Sequence, residues 1–194
     1  MGALREVIKE KTITLHPPPK KLYSAKASFL LPDVEVTSVL NEPARMASTG
    51  LFARRWTLLG CAGSQFASAM VDAWTEGVPK ELQKQGLPTP GDFQVLRLSL
   101  VEGALLRWLR RPLLATMRAS MPSERHKTFF CHFGDASEIR RRMNMSNRYL
   151  GLVCLVNGDG VVRWHAHGSE MPTDNAIAAL ATLIKHEIAP VAHM

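Results

Sequence analysis

From residue 54 onwards, segments with a strand-like pattern of apolar residues alternate with segments that have a helix-like pattern. Short apolar runs predict buried strands, and apolar residues three and four apart predict helices. The predicted strands cover residues 55–62, 93–100, 128–133, 149–156 and 161–167. The predicted helices run from Ser64 to about Gln85, from about Glu102 through Met117, from Asp135 to Arg142, and from Thr173 towards the C-terminus. This alternation is typical of an α/β domain that contains parallel strands.

Glycine and proline mark the expected breaks in these elements. Gly77 and Pro79 predict an interruption of the first helix. Pro112 predicts a kink or a split in the second helix, because proline lacks a backbone donor. The apolar stripe of this second helix is expected to face the core, and it consists of Leu105, Leu109, Leu113 and Met117.

The order of the elements predicts the fold class. Residues 157–160, Asn-Gly-Asp-Gly, predict a tight turn that joins the last two strands as an antiparallel hairpin. Strand, helix, strand and helix, followed by this hairpin and a closing helix, make the skeleton of a thioredoxin-like domain. We therefore predict an α/β fold over residues 51–194, with a thioredoxin-like central mixed sheet flanked by helices.

Residues 1–50 are interpreted as an extended, proline-containing N-terminal arm with little core of its own. Residues 17–19 are three consecutive prolines, which impose polyproline-like backbone, and Pro32 and Pro43 interrupt the remainder of the arm. Residues 8–15 alternate weakly, which predicts an extended segment. Arms of this kind are either disordered or ordered on the surface of a partner. An ordered arm would favour a chain that is laid over a larger assembly.

The charge of the chain is concentrated in one segment. The 194 residues have a net charge of +7 and are 46% apolar, which excludes an intrinsically disordered chain. No apolar run is long enough for a spanning helix. Between Arg107 and Arg148, ten basic residues face three acidic ones. This segment predicts a surface for an acidic partner or anionic lipid, with a solvated helix face as the alternative. The predicted surface consists of Arg107, Arg110, Arg111, Arg118, Arg140, Arg141 and Arg142.

The three cysteines, Cys61, Cys131 and Cys154, each lie inside an apolar run, where a free cysteine usually acts as a small hydrophobic residue. Their odd number and the lack of a C-x-x-C pair argue against a disulfide framework and favour a non-secretory compartment. Thiol redox chemistry needs a low-pKa thiolate at a helix N-terminus, usually with a second thiol. Cys61 precedes the first helix, and Ser64 stands where that second thiol is needed. A divergent thiol oxidoreductase using Cys61 is therefore an alternative and not the leading prediction.

Metal, cofactor and nucleic-acid sites have weak signals. His165 and His167 share one side of a predicted strand, and Cys131 or His132 could join them as ligands, but no metal-binding spacing supports this. Phosphate-binding glycine motifs are missing, so we predict no cofactor and no metal. An RNA-binding factor, for example on a mitochondrial ribosome, would use the basic segment. Because no RNA-binding signature accompanies that segment, nucleic acid is not the favoured partner.

The first residues give little information about targeting. They contain no secretory apolar region, and Glu6 stands where N-myristoylation requires Ser or Thr. Glu6 and Glu10 also make a poor mitochondrial presequence, because such presequences avoid acidic residues. Import through an uncleaved or internal signal is left open.

Several blocks of sequence, in this order and spacing, resemble one known family over about residues 55–185. They are RWTLLG with the following SQFA, the LSLVEG run, MPSERH, FFCHFGD, and MSNRY leading into GLVCLVNGDGVVRW. These blocks resemble the mitochondrial ATP-synthase assembly-factor family called "ATPase complex subunit ten". The chain departs from that family in its N-terminal arm and at His165-Ala166-His167, where family members tend to have small residues.

The resemblance implies a thioredoxin-like fold without redox thiols, in a non-enzymatic protein at the matrix face of the mitochondrial inner membrane. It implies partners among the subunits of a large inner-membrane complex, and the basic segment adds anionic lipid head groups. From the arm we favour a permanent accessory subunit of ATP synthase or of the respiratory chain. A transient assembly factor or chaperone for the membrane sector of ATP synthase is the first alternative.

Overall fold

A computed structural model describes residues 16–188 except 48–49, 54, 88–90 and 146. The strands are β1 (Phe29–Leu30), β2 (Glu35–Ser38), β3 (Pro43–Arg45), β4 (Trp56–Ala62), β5 (Phe93–Val101), β6 (Phe129–Phe133), β7 (Gly151–Val156) and β8 (Val161–Gly168). The α-helices are α1 (Gln65–Lys84), α2 (Ala104–Trp108), α3 (Arg110–Ala119), α4 (Ser137–Arg142) and α5 (Asp174–Ile188), with a 3-10 turn at Ser123–Arg125. The predicted N-terminal segment 8–15 lies outside the described residues.

The eight strands form one mixed sheet in the order β1-β8-β7-β4-β5-β6-β2-β3. Strands β4, β5 and β6 are parallel, because the chain returns through a helix after each of the first two. Strands β7 and β8 form the predicted antiparallel hairpin, and β7 pairs with β4. The predicted central mixed sheet with flanking helices is confirmed.

Different helices and segments pack against the two faces of this sheet. Side chains alternate along each strand, so Leu58 and Leu59 of β4 point to opposite faces. Leu58 lies in a buried cluster with residues of α1 and α5, and α3 covers the same face further along, over Val101 and Cys131. Leu59 lies in the cluster on the other face, which α4 and part of the N-terminal segment cover.

Helix α1 confirms its predicted start and corrects its predicted break. The Ser64 hydroxyl accepts a hydrogen bond from the Ala67 amide at 3.2 Å, which is the expected N-cap. The helix nevertheless continues through Gly77 and Pro79 to Lys84. Buried Val78 and Leu82 anchor its second half to the core. At Gly77 a Cβ would lie 2.7 Å from Ile177, so glycine there permits close packing of α5 against α1.

The second predicted helix is split, and its predicted apolar stripe is wrong at its first two positions. The break lies at Leu109, and Pro112 occupies the first turn of α3, where its missing amide is tolerated. The residue that α3 buries is Leu114, with Leu113 and Met117 partly buried beside it. Leu105 and Leu109 are instead exposed to solvent, while Leu106 packs against the cluster that contains Leu114.

The N-terminal segment is part of the sheet. Strand β1 pairs with β8 at one end of the sheet, and the β2–β3 hairpin pairs with β6 near the other. The buried side chains that this segment contributes to the core include Leu31, Val36, Val39 and Met46. The expectation that the arm has little core of its own is therefore wrong for its described part. The division of the chain at residue 50 stays a prediction.

Candidate functional site

An open cleft of about 460 Å³ lies at the carboxyl ends of β4 and β5. Parallel strands bring their following loops to the same edge of a sheet, and such edges commonly hold binding sites. The residues that line it come from the β4–α1 turn, the β5–α2 turn and the segment before β7: Gly63, Ser64, Gln65, Ser68, Ser99, Glu102, Leu106, Arg148 and Tyr149 among them. Its lining combines hydroxyl, charged and apolar groups.

The loop before β7 is fastened to the start of α1. The Ser64 hydroxyl donates to the backbone carbonyl of Tyr149 at 3.1 Å, while it also caps the helix. At Gly63 a Cβ would lie 3.1 Å from the carbonyl oxygen of Arg148, so the two segments approach closely. The Arg148 guanidinium donates to the Tyr149 hydroxyl at 2.8 Å and lies 4.9 Å from the centre of that ring. These contacts place a cation and an aromatic ring at the cleft rim.

An ion pair joins the cleft to α4. Glu102 pairs with Arg140 and accepts a hydrogen bond from the Ala136 amide at 3.4 Å. The hydrogen bond from Arg140 lowers the pKa of the Glu102 carboxyl. The half-buried pair joins the β5–α2 turn to α4, and the hydrogen bond joins it to the turn before α4, so both stabilise the wall of the cleft.

The thiols lie away from this cleft. Cys61 is 0% exposed and faces the side of the sheet opposite α1, and Cys131 and Cys154 are also buried. Burial raises the pKa of the Cys61 thiol to about 12 and that of the Cys131 thiol to about 12. Desolvation also raises the pKa of Cys154. Three free, buried and protonated thiols are poor nucleophiles, because the thiolate is the reactive form.

The predicted basic surface is distributed over two faces of the molecule. Arg110, Arg111 and Arg118 lie on α3, over the face of the sheet that α1 and α5 also cover. The backbone of Arg107 lies in α2. Arg140, Arg141 and Arg142 lie on α4, over the opposite face. Among the α4 arginines, Arg140 pairs with Glu102, and Arg142 pairs with Glu138 at 3.4 Å.

An exposed apolar surface adjoins the cleft and the α3 arginines. Trp108 is 88% exposed and Leu105 is 72% exposed, with Leu109 beside them, while Leu106 of the same helix packs inward. Positions 105, 108 and 109 share one helix face by their spacing. We call this surface the Trp108 patch, and it consists of Leu105, Trp108, Leu109, Arg110 and Arg111. Sequence periodicity missed it because the same leucines fit a core-facing stripe.

A family model covers nearly the whole of this structure. The model described as "ATP10 protein" matches residues 6–185, which is most of the chain. The chain belongs to the ATP10 protein family. The resemblance inferred from the sequence blocks is confirmed.

A curated relative agrees with this ATP10 assignment over a shorter range. The "Mitochondrial ATPase complex subunit ATP10" of Eremothecium gossypii is 29% identical to the chain over 83 residues. That match covers 42% of this chain and 30% of the relative, so it spans less than a third of the relative's length.

Solved structures similar to this ATP10-family chain confirm the thioredoxin-like fold. BsSco, a member of the Sco family of cytochrome c oxidase assembly proteins, superposes with a TM-score of 0.54 at 11% identity, covering 84% of this chain and 97% of that one. A DsbF homologue from Corynebacterium diphtheriae gives a TM-score of 0.52 at 7% identity, covering 90% and 96%. A secreted thiol-disulfide isomerase from Corynebacterium glutamicum also gives 0.52, at 15% identity, covering 90% and 98%.

Sequence reasoning missed a histidine cluster at the β8 end of the sheet. His16 forms a bridge with His167, and its ring lies 5.1 Å from that of His165 and 6.2 Å from that of His167. The Tyr23 hydroxyl is 2.9 Å from Nδ1 of His165. Burial, together with the neighbouring imidazoles, lowers the pKa of His165 to about 4, and burial lowers that of His167. No signal in the sequence places His16 beside residues so distant along the chain.

The candidate metal ligands are not brought together. Cys131 and His132 lie on β6, which is separated from β8 by β5, β4 and β7, so neither can share an ion with His165 and His167. Within residues 16–188 as described, no group of three or more His, Cys, Asp or Glu side chains is arranged to hold a metal. The described helices also include none long and apolar enough to cross a bilayer.

Sequence reasoning also missed a largely, but not fully, buried arginine beneath α1. Arg97 of β5 contacts Asp72 at 3.0 Å, and Arg125 contacts Glu76 one helical turn further along at 2.8 Å. Desolvation lowers the pKa of Arg97, and the nearby Asp72 opposes that effect. These pairs attach α1 to the sheet and to the segment before β6, and we assign them a structural role.

Proposed function

We propose that this chain is a non-catalytic binding protein in the assembly of mitochondrial ATP synthase. Its membership of the ATP10 protein family and its similarity to a mitochondrial ATPase complex subunit support this proposal. The partners would be subunits of the membrane sector of that enzyme. The site would be the matrix side of the inner membrane, to which the protein would bind peripherally.

The observation that carries the non-catalytic part is the burial of Cys61. Thioredoxin-like redox enzymes need an accessible thiolate at the start of the first helix. Here that position holds Gly63, Ser64 and Gln65, and the nearby thiol of Cys61 is fully buried with its pKa raised to about 12. The alternative of a thiol oxidoreductase therefore lacks an accessible sulfur. The alternative of a ribosome-associated RNA-binding factor gains no support from the described surface.

The described part of the N-terminal segment favours a transient factor over a permanent subunit. The preference for a permanent subunit depended on an arm that a neighbouring protein would have to order. Strands β1 and β2 of this segment instead pair with the chain's own β8 and β6, and its buried side chains contribute to the core. The molecule thus needs no permanent neighbour to order this segment. We propose that it binds newly made subunits and then leaves the finished complex.

Replacement of the endogenous protein in mitochondria tests this proposal. Wild type and Cys61→Ala should both restore assembled ATP synthase on native gels, and the chain should be missing from the mature band. Cys154→Ala, which removes an equally buried thiol, is the matched control for loss of packing. Loss of assembly in Cys61→Ala alone, with the protein still folded, would contradict a non-catalytic role. Co-migration with the mature enzyme would instead favour a permanent subunit.

The role of the cleft in partner binding can be tested in the same mitochondria. Gln65 is exposed at the cleft rim, and Gln83 is exposed near the other end of the same helix. If a partner binds in the cleft, Gln65→Trp should reduce ATP synthase assembly while Gln83→Trp leaves it unchanged. Equal assembly in the two variants would remove the cleft from the proposed function.

A further inference from the structure

The Trp108 patch is apolar at its centre and basic at its edge. Leu105, Trp108 and Leu109 are exposed together, although Leu106 and Leu114 hold the same segment firmly to the sheet. Soluble proteins seldom expose contiguous apolar patches, and such patches commonly mark sites of contact with a protein or a membrane. Arg110 and Arg111 follow directly, and residues 103–123 contain four arginines and no carboxylate.

We propose that the Trp108 patch is a membrane-contact site for a bilayer with anionic head groups. Tryptophan and leucine side chains partition into the boundary between head groups and acyl chains, while flanking arginines bind the phosphates above them. The proposal rests on the membrane location in the proposed function and adds the surface that makes the contact. It also divides the predicted arginines, because it uses those of α3 and not those of α4.

Charge and shape favour a bilayer over other occupants. A second copy of this chain would bring Arg110, Arg111 and Arg118 against their own equivalents, which is unfavourable. The patch is also not a groove that could receive a peptide or helix from another protein. The Trp108 side chain is 88% exposed, so it projects from the surface and does not line a depression. A bilayer accepts a projecting aromatic side chain and supplies the opposite charge.

The patch lies beside the cleft, which gives it a consequence for the proposed function. Leu106 lines the cleft from the same short helix that presents Trp108 outwards. A bilayer bound at Trp108 would therefore hold the carboxyl edge of the sheet, with Arg148 and Tyr149, close to the membrane surface. That is the position from which a cleft could receive the emerging segment of a membrane subunit.

Vesicle flotation of the purified full-length chain tests the site. The probes are vesicles of phosphatidylcholine alone and of phosphatidylcholine and phosphatidylglycerol in equal parts. We expect binding to the anionic vesicles, with a roughly tenfold weaker partition for Trp108→Ser. Met171→Ser is the matched control, because Met171 is 60% exposed in the loop between β8 and α5, outside the patch. Unchanged binding of Trp108→Ser, or an equal loss with Met171→Ser, would overturn the proposal.

Two double variants, which remove equal charge from α3 and from α4, test the contribution of the arginines. The double variant Arg111→Gln with Arg118→Gln removes one arginine of the patch and the next arginine along α3. It should lower binding roughly fivefold per charge removed, and added salt should abolish the difference. Arg141→Gln with Arg142→Gln removes the same charge from α4 and should have little effect. Equal losses in the two doubles would show general attraction of a basic protein and would overturn the site.

Two further results would overturn the membrane assignment without touching the proposed function. Absence of binding to anionic vesicles would do so, and so would a dimer in solution that Trp108→Ser abolishes. Circular dichroism of each variant establishes that it is folded. If ATP synthase assembly is still restored by the wild-type chain in either case, the assembly role stands and only this surface is rejected.

Discussion

Cys61 shows how position within a strand decides the chemistry of a residue. It lies one residue before the end of β4, so its side chain points into the core instead of extending beyond the sheet edge. Two residues further along, at Gly63, the chain has left the sheet and is exposed. A shift of two positions in sequence would therefore separate a reactive thiol from an inert one.

The thiols are expected to resist alkylation in the native state. A pKa of about 12 for Cys61, against its usual 9.0, lowers the thiolate fraction near neutral pH roughly a thousandfold. Iodoacetamide should therefore label no thiol of the native chain at pH 8 and all three in denaturant, as measured by intact mass. Rapid labelling of Cys61 before unfolding would contradict the burial of this thiol.

His165 and His167 predict a loss of stability in acid. The folded-state pKa of His165 is about 4, below its usual 6.5, so the unfolded chain binds its proton at higher pH than the folded one. The contribution to the free energy of unfolding is complete above pH 6.5 and is lost as the pH falls towards 4. Its size is no more than about 3 kcal/mol for this residue. His167 acts in the same direction.

A pair of glutamine variants isolates this effect. His165→Gln should flatten the fall in urea midpoint between pH 6.5 and 4.5, because glutamine does not titrate. The exposed His186 on α5 provides the control, and His186→Gln should keep the wild-type slope. An unchanged slope for His165→Gln would show that this imidazole does not titrate as the buried environment requires.

At the level of the elements, the strength of the periodic signal decides what the sequence can predict. Helix α1 agrees with its prediction to within a residue at each end, because Ser64 caps it and Met70, Val71 and Trp74 mark a single buried face. Helix α2 does not agree with its prediction, because Leu105 and Leu109 follow the same period without being buried. Period alone does not distinguish an apolar face that packs on the core from one that is left exposed.

Gly60 is expected to control the distance between β4 and α1. A Cβ there would lie 2.4 Å from Val71 and 2.9 Å from Thr75, both on the helix. Gly60→Ala should therefore lower the free energy of unfolding by about 1–3 kcal/mol through overpacking. Gly91→Ala is the control, since nothing lies within 4 Å of its Cβ position. Chemical denaturation with equal midpoints for the two variants would refute close packing at this point.

For the molecule as a whole, the candidate site depends on contacts that no local pattern reveals. Local patterns predict the β4–α1 turn and the basic helix α4. They do not show that Ser64 is bonded to Tyr149, or that Glu102 is paired with Arg140, since these partners lie 85 and 38 positions apart. The cleft exists only through such contacts. The basic segment, continuous in sequence, is likewise divided between two faces by the crossing of the chain after β6.

Val36 tests whether the N-terminal segment is part of the folded unit. It is buried against the sheet beside β6, so Val36→Asp should cost roughly 3 kcal/mol or more by placing a carboxylate in an apolar cluster. Leu30→Asp introduces the same charge at an exposed position of the same segment and should cost little. Thermal unfolding measures both. Similar melting temperatures would mean that the segment can detach while the remaining sheet stays folded.

The pairing of β1 with β8 has a consequence for the way the chain is completed. Phe29 is made early and its partner Val162 late, while β2 must wait for β6. During synthesis or translocation from the N-terminus, the first strand to emerge, β1, is thus the last to find its neighbour. Until β6 arrives at one border, and the final hairpin at the other, the growing sheet offers unpaired amides and carbonyls to any other chain nearby. Such a polypeptide would depend on holding chaperones during its own maturation.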